Sequence, residues 1–235
     1  DISDLKMTII TNDPAKRYYY TLLFGDKYRV KSATRNVNIP GIQNFRDLGG
    51  YPSYSTKKQV RWGMIYRSAE IDSLECYSRR ELRNLGIKTL IDLRTSSETG
   101  RQSPLQKEFN VVHIPLATGD MENILKGIRE EKIKSDTVYR MVEQMNRDLI
   151  DKYTTEYRQI FDILLDKNSY PVVIHCSSGK GRTGIVSALV LAALGINEDI
   201  IMEDYRLSND YFNIPSASKD AYQLPARSQE AITTL

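Results

Sequence analysis

Pro171-Val172-Val173-Ile174-His175-Cys176-Ser177-Ser178-Gly179-Lys180-Gly181-Arg182-Thr183-Gly184, running on into the apolar stretch Ile185 to Leu194, is the segment from which the fold can be read. A proline opens a β-branched run with the length of a buried strand, and the stretch after the loop is apolar over a helical length. Strand, small-residue loop and helix in that order make an anion cradle. The backbone N–H groups of Ser177, Ser178, Gly179, Lys180 and Gly181 converge, and the positive end of the helix dipole points to the same place. Cys176 stands at the entrance of the loop and Arg182 at its exit, with five residues between them. A thiol so placed, among converging amides, a helix end and a guanidinium, is expected to act as a nucleophile. Arg182 presents two parallel donors to a phosphoryl dianion, which lysine does less well. A Walker-type nucleotide loop is excluded, because Lys180 is followed by Gly181-Arg182-Thr183 instead of Ser or Thr.

Working outward, strands are expected at about 88–93, 111–114 and 171–175, alternating with helices. That pattern predicts an α/β fold with a central, mostly parallel sheet flanked by helices, and puts the loop at the C-terminal end of a strand, where open sheets hold ligands. Residues 1–38 form a β-rich lead-in: Tyr18 to Phe24 and Lys27 to Val30 flank Gly25-Asp26, a hairpin turn, and the tyrosine cluster reads as a half-buried strand face. Residues 39–235 form the catalytic domain. Ser78-Arg79-Arg80-Glu81 has the pattern of a capping box, opening a short helix that stops at Gly86. Val138, Met141, Val142, Met145 and Leu149 recur at helical spacing, as do Tyr157, Ile160, Phe161 and Leu164. The first set, with Met121, Ile124, Leu125 and Ile128 before it, is a helical insertion within 120–152 that suits either inert packing or a lid over the loop. Asn197 caps a further helix running to about Phe212.

The 235 residues are 40% hydrophobic and 27% charged, an ordinary globular composition, and no run approaches the length of a membrane span. The chain begins at Asp1 and not at Met, so its compartment, cytoplasmic or exported, is left open. Cys76 and Cys176 cannot form a disulfide framework, and Cys76 is expected to be structural. Two histidines and no Cys-x2-Cys pair supply no set of metal ligands, so catalysis is expected to need no metal and no cofactor. A formal charge of +3 is too mild to argue for nucleic acid and is compatible with anionic substrates.

The loop resembles the His-Cys-x5-Arg-Ser/Thr signature of the cysteine-dependent phosphatases. Asn44-Phe45-Arg46-Asp47-Leu48-Gly49-Gly50 and Tyr66-Arg67-Ser68-Ala69, with Asp92-Leu93-Arg94 and the segment Asp204 to Asn209, are similar to motifs of one branch, tyrosine phosphatase family 3, which holds atypical protein and lipid phosphatases. The resemblance covers residues about 39 to 212. It implies phosphate-monoester hydrolysis through a cysteinyl-phosphate, on phosphotyrosine proteins or phosphoinositides, with inositol polyphosphates as an alternative substrate class. A non-catalytic phosphate-binding module is the rival from another class, and the intact Cys176 and Arg182 count against it. On this resemblance His175 supports the thiolate, Thr183 donates a hydrogen bond to the sulfur, and Arg46, Arg67 and Arg94 bind substrate with the loop. Asp120 is the first choice for the general acid and Asp92 the second. Asp92, Arg94 and Glu98 read equally well as a structural ion-pair network. The branch usually has Gly-Lys-Asp-Arg in the loop, whereas this chain has Gly181 there, which makes the loop less negative and favours highly anionic substrates. Lys180 would bind an additional phosphate.

Overall fold

The computed structural model describes residues 8–10, 17–72, 74–99, 104–118, 127, 130, 132 and 135–213. Strands β1 (Tyr19–Phe24) and β2 (Tyr28–Ala33) pair antiparallel from Tyr19 opposite Ala33 to Phe24 opposite Tyr28, turning through Gly25 at a positive φ of 57°. The loop therefore holds three residues, one more than the Gly25-Asp26 reading allows. The tyrosine-bearing face is more exposed than half-buried: Tyr28 is 70% and Tyr19 47% open to solvent.

Short strands β3 (Arg46–Asp47), β4 (Pro52–Ser53) and β5 (Lys58–Gln59) precede β6 (Ile65–Ser68). Helix α1 (Cys76–Asn84) follows, then β7 (Thr89–Asp92), the single turn α2 (Ser96–Thr99) and β8 (Asn110–His113). Helices α3 (Ser135–Lys152) and α4 (Thr154–Leu165) lead to β9 (Val172–His175), and α5 (Gly181–Ala193), α6 (Glu198–Arg206) and α7 (Ser208–Tyr211) complete the order.

The central sheet runs β3-β6-β9-β7-β8, with β3 antiparallel to β6 and every other pair parallel. β9 lies in the middle because all four of its residues are buried and its apolar side chains serve both faces. Val172 and Ile174 join the cluster with Ile65, Leu93, Ile160 and Leu191, under α4 and α5; Val173 joins the other, with Phe45, Tyr66 and Leu82 of α1. Helices thus cover both sides of the sheet, as the alternation of elements requires.

Two helices differ from the sequence reading. α1 begins at Cys76 with Glu75 as its N-cap residue, and Ser78 donates its hydroxyl to the Pro40 carbonyl at 2.6 Å, so the capping-box residues tie the helix to the chain before β3 instead of capping it. Gly86 does end that helix, at φ 72°. The helix after Asn197 breaks at Leu207 into α6 and α7. Cys76 is exposed, a free thiol beside Arg79, which donates to its sulfur at 3.2 Å. Of the proposed lid, α3 is described: Val142 and Leu149 are buried and Leu149 belongs to the main core, while Met121, Ile124 and Leu125 lie outside the described residues. Among the described residues no helix is long and apolar enough to cross a membrane.

Candidate active site

Parallel pairing brings Ser68 of β6 and Asp92 of β7 level with His175, one on each side. The chain leaves β9 at Cys176 in the centre of the sheet's C-terminal edge and bends through the loop into α5. Four successive carbonyls of the loop, Ser177 to Lys180, are each engaged by a donor. The Glu70 N–H donates to Ser177 O at 3.1 Å, Asn44 Nδ2 to Ser178 O at 3.1 Å and Arg67 Nη2 to Gly179 O at 2.7 Å, while the Gly184 N–H donates to Lys180 O at 2.7 Å. With these four carbonyls held by the surrounding chain, the intervening N–H groups turn the other way, toward the cradle. Among the described residues the N–H groups of Ser177, Ser178, Gly181 and Arg182 have no protein acceptor. The Gly179 N–H donates to Cys176 Sγ at 3.3 Å, and that of Lys180 to Ser178 Oγ at 3.3 Å. Gly179 is required for this path: its φ is 70°, and a Cβ there would lie 2.4 Å from the Ser68 carbonyl.

Cys176 is 2% exposed at the floor of the cradle. His175, beneath it, is buried, and burial followed by the counteracting Asp92 charge leaves its pKa lowered to about 4; its Nδ1 lies 3.9 Å from Asp92 Oδ1 and is neutral at physiological pH. Thr183, in the first turn of α5, is fully buried, and its hydroxyl has no hydrogen-bond partner among the described residues.

Arg182 reaches back over the loop to α2. Its Nη1 donates to Glu98 Oε2 at 2.7 Å and its Nη2 to Glu98 Oε1 at 2.6 Å, and Ser177 Oγ donates to the same carboxylate at 2.7 Å. Burial alone would raise Glu98, but the hydrogen bonds from Arg182, Ser177 and the Thr95 N–H overcome it and hold the carboxyl at about 2. Of the group Asp92, Arg94 and Glu98, for which the sequence leaves a catalytic role and an ion-pair network equally open, the structure pairs Arg94 with Asp92 and gives Glu98 to the loop arginine instead.

The remaining arginines point elsewhere. Arg46 and Arg67 are buried behind the loop and meet at Asp204 of α6. Arg67 Nη1 donates to Asp204 Oδ2 at 2.7 Å and Arg46 Nε to Oδ1 at 3.2 Å, and the Tyr51 hydroxyl donates to Oδ1 at 2.9 Å. Arg46 also donates to Asn44 Oδ1, and so steadies the side chain that holds Ser178. Neither guanidinium opens into the cradle. Arg94 is buried too, with Nε and Nη2 on Asp92 at 2.9 and 2.8 Å and a fork onto Asp72 at 2.5 and 2.7 Å. These contacts outweigh burial at Asp92 and keep its pKa lowered, which makes it a fixed anion and a poor proton donor. Asp120 lies outside the described residues. Lys180 is 7% exposed, not a solvated charge: its Nζ donates to Asn209 Oδ1 at 3.0 Å, and burial lowers its pKa.

Asn44, Asp204 and Asn209 were not singled out from sequence as site residues, although each falls inside a quoted motif. Nothing local marks them, because each works through a partner more than 25 residues away. Among the described residues no three His, Cys, Asp or Glu side chains gather as a metal site.

Residues 37–234 match the model of the tyrosine phosphatase family. A triple specificity protein phosphatase of Mycobacterium tuberculosis, PtpB, is 32% identical over 216 residues, which cover 83% of this chain and 73% of that protein. A tyrosine-protein phosphatase of Nostoc commune is 26% identical over 148 residues, 62% of this chain, and the chain spans 48% of that relative's length. Among solved structures, Pseudomonas aeruginosa TpbA with bound phosphotyrosine aligns over 74% of this chain and 80% of its own, at 15% identity and a TM-score of 0.33. An inward-facing amide loop between Cys176 and Arg182, together with the family match over most of the chain, places this protein in the tyrosine phosphatase family of cysteine-dependent phosphatases.

Proposed function

We propose that the protein hydrolyses phosphate monoesters by two displacements at Cys176, acting on phosphotyrosine in proteins or on phosphoinositides. The observation that carries this reading is the loop itself: four carbonyls tied back, amides facing in, and a sulfur and a guanidinium on the same rim. In the first step the Cys176 sulfur attacks phosphorus, an S–P bond forms, the ester P–O bond breaks and the leaving oxygen takes a proton. In the second, water attacks phosphorus, the S–P bond breaks, and phosphate leaves. The amides and Arg182 neutralise the equatorial oxygens in both. Arg182 is held at Nη1 by Glu98 and by the Leu93 and Leu116 carbonyls, and offers its Nε and Nη2 edge to the phosphoryl group. Thr183, buried with an uncommitted hydroxyl, is suited to donate to the departing sulfur.

Asp120, which follows β8 in sequence, is the proposed proton donor, and Asp92 with Arg94 supports His175 and the loop from below. Arg46 and Arg67 act as positioning residues through Asp204, not as substrate ligands. Lys180 with Gly181 favours substrates carrying more than one phosphate, and the name of the mycobacterial relative, a triple specificity phosphatase, is compatible with a broad substrate range.

The test is turnover of a chromogenic aryl phosphate. Wild-type protein releases phosphate and Cys176→Ser releases none above the uncatalysed rate; equal release by both would sink the reading and leave the phosphate-binding module. Phosphotyrosine peptides compared with a panel of phosphoinositides and inositol polyphosphates then assign the substrate. Asp120→Asn should slow esters with poor leaving groups by roughly 10²-fold or more while sparing the aryl phosphate.

A further inference from the structure

A cleft of about 500 Å³ lies at the other end of the sheet. It is walled by Tyr19, Trp62 and Met64, with Arg29, Lys31 and Arg61 around it. Met64 immediately precedes Ile65, which pairs with Val172 at the start of β9, whereas Cys176 follows the end of the same strand. The two sites are therefore separated by at least the length of four residues of strand, about 10 Å or more, and open at opposite poles.

The two halves of the cleft have different chemistry. Its apolar wall is a ring held in place: Trp62 Nε1 donates to the Lys31 carbonyl at 3.0 Å, the Arg35 guanidinium lies 5.1 Å from the ring centroid, and a Cβ at Gly50 would collide with the indole. The Arg17 guanidinium also lies 5.9 Å from the ring centroid, and the indole so packed lines the cleft. The rest is cationic. Arg29 and Lys31 are two apart on β2 and so share a face, and Arg61 faces them from the segment before β6. Among the described residues these three have no carboxylate partner. Nearby Arg17 and Arg35 are committed, to Asp47 and to the carbonyls of Asp47 and Gly49.

We propose that this cleft is a second binding site, distinct from the catalytic loop, for a nucleoside di- or triphosphate whose base stacks on Trp62 and whose phosphates meet Arg29, Lys31 and Arg61. The volume lies within the range of small-molecule sites, and a planar ring joined to a run of charges matches an aromatic wall joined to a cationic one. Inorganic phosphate would satisfy only the cationic half, and an uncharged nucleoside only the ring. Arginine pairs suit bidentate contact with phosphate oxygens.

Trp62 is the only tryptophan of the chain, so its fluorescence reports on this cleft alone. The experiment titrates the Cys176→Ser protein with ADP or ATP in phosphate-free buffer. The expected result is a saturable change in Trp62 emission, absent with adenosine or pyrophosphate at the same concentrations, and weakened at least tenfold in Arg29→Ala/Arg61→Ala. Both substituted residues are exposed, and that double variant in the Cys176 background should keep wild-type aryl phosphate turnover, which shows that it is folded. No saturable change, a change reproduced by pyrophosphate, or one indifferent to the double substitution would overturn the proposal. None of these outcomes bears on phosphate hydrolysis at Cys176.

Discussion

The loop is gripped from behind and from in front by two arginine–carboxylate assemblies of the same chemistry and different exposure. Behind it, Asp204 is 1% exposed between Arg46 and Arg67, which are equally closed off. In front, Glu98 faces Arg182 with a third of its side chain in water. Charges that cannot be re-solvated cannot easily exchange partners, so the rear assembly is a fixed support for the carbonyls of the loop. The front one sits where water and anions have access, and its arginine can hold a carboxylate and receive a phosphoryl group together.

The sharpest way to break this contrast is at Asp204. Asp204→Asn keeps the shape but leaves two buried guanidiniums facing each other without an anion, a change of the kind that costs about 3–5 kcal/mol. Urea unfolding should show a loss of that size, with Cys176-dependent turnover falling as Arg67 releases the Gly179 carbonyl. A loss under about 1 kcal/mol would mean that the rear assembly is no support.

Next in size is a pH effect rooted beneath the loop. The folded pKa of His175 is lowered to about 4 from an ordinary 6.5, so the folded protein resists the proton that the unfolded chain accepts. The associated stability is complete above pH 6.5 and is lost as pH falls through 4, amounting to about 3 kcal/mol at most. Melting temperature measured from pH 7 down to 4 should fall over this window, and His175→Asn should flatten that part of the curve. Glu98 behaves with the same sign in a lower window: held at about 2, it contributes above its usual range and fades only as pH falls toward 2.

The contrast also explains what could be read in the chain beforehand. Val172 to His175 with the loop and the apolar helix is a local pattern: β-branched strand, small residues and helical length follow one another, and the sheet order grows from the buried centre that such a strand demands. Cys176 and Arg182 were legible for the same reason, five residues apart in one loop. Arg46 and Arg67 were legible as important but not in their direction, since whether an arginine faces a substrate or a buried carboxylate depends here on Asp204, far off in sequence; Arg94 pairs with Asp92, two residues away, as the ion-pair reading of that strand end has it. Glu98 was visible without its partner. It lies 84 positions from Arg182, and only the return of β7 beside β9 brings α2 over the loop. Ser78 is not the helix cap because α1 already starts at Cys76 and puts it inside the first turn, where its hydroxyl donates to the Pro40 carbonyl.

Glu98→Gln sharpens the front half of the comparison. With a third of the side chain exposed, the pair is screened, and urea unfolding should move by less than about 1 kcal/mol. Catalysis should respond more: with its bidentate partner weakened, Arg182 is less well aimed, and kcat/KM should fall roughly tenfold. Because Glu98 stays ionised from pH 4 upward, the acidic limb of the rate profile should keep its position in the variant. A large loss of stability with unchanged kcat/KM would place Glu98 with Asp204, as a support.

The smallest effect is expected at Gly181, where the loop enters α5. A Cβ there would meet nothing within 4 Å, and its φ is not in the left-handed region, so space does not demand glycine. Gly181→Asp should then fold, and an acidic side chain in the first turn of a helix with none should add about 0.5–1 kcal/mol by meeting the positive end of the dipole. The same carboxylate lies beside the amides that receive phosphate, so KM should rise for substrates with several phosphates more than for a singly phosphorylated aryl ester. The two readouts move in opposite directions, stability up and anion affinity down, because the front of the loop faces the ligand and the helix end at once. If both improved together, Gly181 would have no part in favouring highly charged substrates, and the preference would have to come from Lys180 alone.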